Sequence, residues 1–311
     1  MKDYGKGGAP LDTILDCSLG VNPAPLPSQV MLALQNIDQH AIKQYPHDET
    51  VLEKIALYYR NKGISWLSAG HMFLGDGSLD ILRSLNFLCL TYGKRVLGQG
   101  PQFTAYLDHV NCLGAHFEYY PMSKGNNYKF EAENYLNRMT SNHDLFIVEN
   151  PNNPTGQVAA LADIDSIAAR AASYNKILIV DEAYGDYMPI ENSAINLIPT
   201  YPNVVVTRTF SKAFGMAGIR MGYIITSSGQ TSDTLIQFRK VENQFNCNGI
   251  ARILGMAFLE SDAKIPDRDQ IAANEPPRGK PRGIWNVGQF LDRRLVREEI
   301  YNTVWFNTKF L

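Results

Sequence analysis

The run Thr209-Phe210-Ser211-Lys212-Ala213-Phe214-Gly215-Met216-Ala217-Gly218-Ile219-Arg220 follows the apolar triplet Val204-Val205-Val206 and precedes a second apolar run, 221–226. It sets one lysine, Lys212, among hydroxyls and glycines between two strand-like segments, with Arg220 closing the loop. A lysine behind a strand is ordinarily a solvated surface residue. Here three upstream stretches carry groups that a reactive lysine uses. They are Gly75-Asp76-Gly77-Ser78, Asn150-Pro151-Asn152-Asn153-Pro154-Thr155-Gly156 and Asp181-Glu182-Ala183-Tyr184.

Each stretch has a local reading. Met72-Phe73-Leu74 reads as a short strand, and a helix over 79–90 follows the glycine turn. A turn feeding a helix N-terminus presents unpaired N–H groups and the positive end of the dipole, a ready anion site that includes Gly77. Ser78 either caps that helix or bonds a phosphate. A strand over 95–97 ends at Gly98-Gln99-Gly100-Pro101, with Phe103 and Tyr106 beyond it; Phe103 also fits a core position at a helix start. Residues 145–148 read as a buried strand that delivers the proline-rich turn around Asn153, rigid by composition. The strand over 176–180 ends in Asp181, at the edge where open α/β sheets bind ligands. A carboxylate there needs a partner to offset its desolvation, or it caps a short helix.

The remaining chain fits the same alternation. Helices are predicted over 28–37 with Ser28 as N-cap, 50–62, 161–174 and 248–260, and a short strand over 14–17. Strands alternating with helices through residue 226 predict a mainly parallel α/β sheet with helices on both faces. The turn formers of the first 30 residues read as an extended arm that includes Asn22.

Composition limits the function classes. The 311 residues are 45% hydrophobic and 19% charged, with a net charge of -2, the profile of a globular domain without the basic footprint of nucleic-acid binding. No apolar run reaches the ~20 residues of a membrane helix, and the N-terminus lacks a secretory pattern. The four cysteines are scattered and the six histidines lack His-Glu-x-x-His spacing, so no metal is expected and a reduced, cytoplasmic protein is.

Taken in order, these motifs resemble the pyridoxal-phosphate enzymes of fold type I. The likeness is to class I/II aminotransferases of the histidinol-phosphate aminotransferase and threonine-phosphate decarboxylase type, over about residues 10 to 260. The resemblance implies roles. Lys212 forms the Schiff base with pyridoxal 5'-phosphate and moves the substrate proton. Asp181 pairs with the pyridine nitrogen. Asn153 and Tyr184 bond the phenolic oxygen, and Phe103 stacks on the ring. Gly77, Ser78, Thr209, Ser211 and Arg220 hold the phosphate. Asn22 belongs to an arm over the substrate, and Tyr45 reaches the phosphate of a neighbouring subunit in a homodimer. The family's usual Ser-Asp-Glu after the glycine is Ser78-Leu79-Asp80 here.

The resemblance divides the chain into an arm (1–30), a cofactor-binding large domain (31–260) and an atypical tail (261–311) in place of most of a small domain. The tail opens with a composition change at 272–283, Ala-Ala-Asn-Glu-Pro-Pro-Arg-Gly-Lys-Pro-Arg-Gly. The expected function is transamination between a small-molecule amino donor and a keto acid. Threonine-phosphate-type decarboxylation and a catalytically inactive truncated remnant are the alternatives.

Overall fold

The computed structural model describes residues 20–22, 24–46, 50–227, 237, 238, 241 and 245–261. The strand expected over 14–17 and nearly all of the tail lie outside the described residues.

Seven strands form one sheet: β1 (Met72–Gly75), β2 (Arg95–Gly100), β3 (His116–Pro121), β4 (Leu145–Glu149), β5 (Ile177–Asp181), β6 (Val204–Thr209) and β7 (Gly222–Thr226). Their order is β1-β7-β6-β5-β4-β2-β3. All neighbouring pairs are parallel except the two made by β7, which runs against both β1 and β6. Two reversals restore direction, so β1 runs with β6. The C-terminal ends of β1, β2, β4, β5 and β6 therefore share one edge, and β7 starts there.

β4 and β5 are the most apolar strands because both faces of the sheet are covered. On one side lie Phe146, Val148, Leu178, Val180, Val204 and Val206. On the other lie Leu145, Ile147, Ile179 and Val205. Burying one such side chain contributes roughly 1.5–3 kcal/mol, so the center of the sheet is a rigid platform for the loops at its edge.

Helices cover this platform through apolar stripes. α1 is Ser28–Gln35, α2 Gln39–Lys43, α3 Thr50–Asn61, α4 Ser78–Cys89, α5 Thr104–Cys112, α6 Ala132–Leu136, α7 Leu161–Ser173 and α8 Gly249–Leu259. α7 buries Ile164, Ile167, Ala168 and Ala171, the spacing of one helix face. α3 buries Val51, Leu52, Ile55, Ala56 and Tyr59 and packs on α8. The Asn248 side chain caps α8 by accepting the Ala251 N–H at 2.9 Å.

The expected elements appear with shifted ends. Ser28 does not cap α1: Pro27 holds the cap position and Ser28 is the first helical residue. Ser78 likewise opens α4 while Gly77 takes the cap. Gly77 has φ 85 and ψ 168, a combination essentially confined to glycine, so backbone geometry selected the cap over hydroxyl chemistry.

Candidate active site

Three polar side chains stand in a row where β4, β5 and β6 end. Glu149 pairs in register with Asp181, and Asp181 with Thr207. Strand periodicity puts them on the same face as Ile147, Ile179 and Val205, and all three are buried. Asp181 Oδ1 accepts from the Thr207 hydroxyl at 2.7 Å and from the Ala183 N–H at 3.1 Å. Both bonds use one oxygen, so Oδ2 is left for a donor with no protein partner among the described residues. Burial pushes the Asp181 carboxyl above its ordinary range, and the Thr207 and Ala183 donors oppose the rise.

Lys212 sits beyond the end of β6. Burial lowers its amine from the ordinary 10.5 to about 8; Asp181 pulls the other way and Arg220 reinforces the drop. Its Nζ lies 5.1 Å from the centre of the Tyr184 ring. The loop is held from outside by the arm. The Asn22 N–H donates to the Lys212 carbonyl at 3.1 Å, and its side-chain amide donates to the Ala213 carbonyl at 2.8 Å. Gly20 packs so closely on Tyr184 that a Cβ there would stand 2.6 Å from the phenol oxygen. Asn22 thus fastens the arm to the lysine loop, a role the sequence did not show.

A second group of donors lies where β1 ends. Arg220 has φ 54 and turns its guanidinium back toward the β1 loop. Its Nη2 donates to the Asp76 carbonyl at 3.3 Å and its Nη1 to the Ser211 hydroxyl at 3.4 Å. A Cβ on Gly77 would be 2.5 Å from that Nη2, and one on Gly222 would be 2.7 Å from the Ser78 nitrogen. Two glycines therefore permit the α4 N-terminus, Ser211 and Arg220 to converge. A helix N-terminus, a hydroxyl and an arginine suit a phosphate. Thr209 stands behind this group: its hydroxyl bonds the Met221 carbonyl at 3.2 Å and Ser211 Oγ at 3.0 Å.

Phe103 and Asn153 approach from the loops after β2 and β4. Phe103 is half-buried and packs on the cluster containing Ile147 and Ile179. The Asn153 N–H donates to Glu149 Oε2 at 3.2 Å, while its side-chain amide has no protein partner among the described residues. Tyr45 lies on the surface. It is 69% exposed and its ring stacks on Phe245 with centroids 4.7 Å apart. Cys247, two residues beyond Phe245, donates its N–H to Asp76 Oδ1 at 2.7 Å.

Sequence reasoning missed Glu149, Thr207 and Arg208. Arg208 is 1% exposed, with Nη2 2.5 Å from Glu182 and Nη1 3.2 Å from Asp186. This buried pairing anchors the segment between Asp181 and Tyr184. The signal for Glu149 was a lone acidic residue ending an apolar strand, the reasoning that singled out Asp181. Among the described residues no cluster of His, Cys, Asp or Glu suits a metal ion, and no helix is long and apolar enough to cross a membrane.

Comparison with known proteins shows the family and the fold. The sequence matches the family described as aminotransferase class I and II over residues 13–274. It is 28% identical over 272 residues to histidinol-phosphate aminotransferase 3 of Mesorhizobium japonicum, covering 87% of this chain and 69% of that protein. It is 30% identical over 261 residues to threonine-phosphate decarboxylase of a Sinorhizobium species, covering 83% and 69%. The fold superposes on histidinol-phosphate aminotransferase from Sinorhizobium meliloti, solved with pyridoxal-5'-phosphate, with a TM-score of 0.66 at 23% identity. That match covers 77% of this chain and 62% of the other. The chain thus spans about two thirds of the length of these relatives. The fold is the expected fold type I architecture.

Proposed function

Since the chain belongs to the class I and II aminotransferase family, we propose that it binds pyridoxal 5'-phosphate at Lys212 and transaminates an amino acid or amino-phosphate. The observation that carries this reading is the pairing of a half-buried Lys212 amine, lowered to about 8, with the buried Asp181, whose Oδ2 has no protein partner among the described residues. A protonated ring nitrogen is the donor that such an oxygen suits. The glycine cradle of Gly77 and Gly222 beside Arg220 fits the phosphate.

When bound, the cofactor supplies a conjugated ring that accepts the electron pair left when a substrate bond breaks. The protein supplies the rest. Lys212 Nζ, with its depressed proton affinity, is deprotonated in a larger fraction near neutrality than an exposed lysine. It therefore serves first as nucleophile and then as the base that moves a proton from the substrate carbon. Asp181 holds the proton on the ring nitrogen. Asn153 and Tyr184 donate to the phenolic oxygen and stabilise its anion. Phe103 covers a ring face and excludes water. Arg220, Ser211 and the N–H groups that open α4 bind the phosphate, with Thr209 steadying Ser211. Gly20 and Asn22 bring the arm over Tyr184 and Lys212, which supports a role for Asn22 at the substrate side. The exposed Tyr45 supports a homodimer in which it reaches the neighbouring site.

The likeness to threonine-phosphate decarboxylase supports a second reading, carbon dioxide release from the same bound substrate. The first test is the visible absorbance of the purified chain with added pyridoxal phosphate, beside Lys212→Ala. A band that requires Lys212 supports the reading; identical spectra refute it. Screening amino donors then separates the two reactions by product, keto acid against carbon dioxide.

A further inference from the structure

Glu149 is a carboxylate that the proposed chemistry does not use, yet it is 3% exposed and lies beside Asp181 in the sheet. Its contacts are specific. Oε1 accepts from the Gln102 side chain at 2.7 Å and from the Phe103 N–H at 2.9 Å. Oε2 accepts from the Asn152 side chain at 2.9 Å and from the Asn153 N–H at 3.2 Å. Gln99 also clamps its backbone, donating to the Glu149 carbonyl at 2.8 Å and accepting the Glu149 N–H at 3.1 Å.

All four donors to the carboxylate come from two loops. One follows β2 and carries Phe103; the other follows β4 and carries Asn153. Each oxygen serves one loop. Four N–H donors match the acceptor capacity of an ionised carboxylate and leave no acceptor for a carboxyl proton. Burial and the charge of Asp181 push its pKa well up, against the pull of these donors. A buried charge is costly unless its hydrogen bonds are complete. Two hydrophobic loops packed on each other would need no such group.

We propose that Glu149 is a positioning residue, whose carboxylate ties the Phe103 and Asn153 loops together and so fixes Asn153 against the phenolic oxygen of the cofactor. The inference rests on the cofactor reading above. Glu149 touches no reacting atom; it acts through the Asn153 backbone.

The test uses the full chain loaded with pyridoxal phosphate and reads the pH titration of the Lys212-dependent band, because a donor at the phenolic oxygen lowers its midpoint. Glu149→Met keeps the volume and removes both acceptors. Its midpoint should rise by about one pH unit, a tenfold change in proton affinity. Asn153→Ala should raise it similarly, and adding Glu149→Met to that variant should change nothing further. Glu149→Gln offers one acceptor and one donor in place of two acceptors and should show a smaller rise. An unmoved midpoint with a lower melting temperature overturns the proposal, because a merely structural plug behaves that way. Equal rises with and without Asn153, or failure of both Glu149 variants to fold, also overturn it. A wild-type chain with no Lys212-dependent band sinks the cofactor reading and this inference with it; a normal wild-type band with unmoved variants sinks this inference alone.

Discussion

Replacing Lys212 with methionine should make the cofactor-free protein more stable, by an amount that depends on pH. Partial burial takes the amine from 10.5 to about 8. That gap is about two and a half powers of ten in proton affinity, or about 3 kcal/mol at about 1.36 kcal/mol per power. The sign follows from linkage. The unfolded chain holds the lysine proton more tightly, so it binds more protons than the native chain between pH 8 and 10.5, and stability rises through that window. Below about 8 both states are charged and the native state carries the full penalty; above 10.5 both are neutral and the penalty is gone. Methionine has a similar length and no charge to desolvate. Lys212→Met should therefore gain about 2–3 kcal/mol over the wild type at pH 7 and almost nothing at pH 11. Urea unfolding of both cofactor-free proteins at several pH values measures this difference directly, and subtraction cancels the titration of every other group. A gain that stays constant from pH 7 to pH 11, or a loss at pH 7, would refute the claim that Lys212 is held in a desolvated site.

Other substitutions probe the supports of the site. Gly77→Ala places a Cβ 2.5 Å from Arg220 Nη2 at a φ of +85; it should lower stability by about 1–3 kcal/mol and weaken cofactor retention at least tenfold, read by equilibrium dialysis. Arg208→Met leaves Glu182 and Asp186 without their buried cation, and denaturant unfolding should show a loss of about 3–5 kcal/mol. On the proposed reading Tyr184 donates to the phenolic oxygen, so Tyr184→Phe should make the Lys212-dependent band titrate about one pH unit higher.

The parts of this molecule that could be read from sequence are those fixed by local chemistry. Prolines, glycines and asparagines mark the turns at 75–78 and 150–156, and a carboxylate ending an apolar strand marks Asp181. Buried runs such as Leu145–Glu149 and Ile177–Asp181 identify central strands because both faces must be apolar. Edge strand β3 was not read: in His116-Phe117-Glu118-Tyr119-Tyr120-Pro121 only Tyr120 is buried, so its pattern carries no clean period. Glu149, Thr207 and Arg208 stayed hidden for a different reason. Each becomes meaningful only through a partner brought in by another segment: Glu149 beside Asp181, Thr207 beside Asp181, and Arg208 against Glu182 just past the end of β5. Register is a nonlocal property, and a slip of one residue would turn each of these side chains to the opposite face. Lys212 was legible because its loop has its own composition. The environment that sets its proton affinity was not, because burial and Arg220, which lower it, and Asp181, which opposes them, act from different elements. Lys212 is therefore specified twice, once by the motif around it and once by the strand order that sets the ends of β5 and β6 side by side. Changes to the second specification should silence the site even where every motif residue is kept.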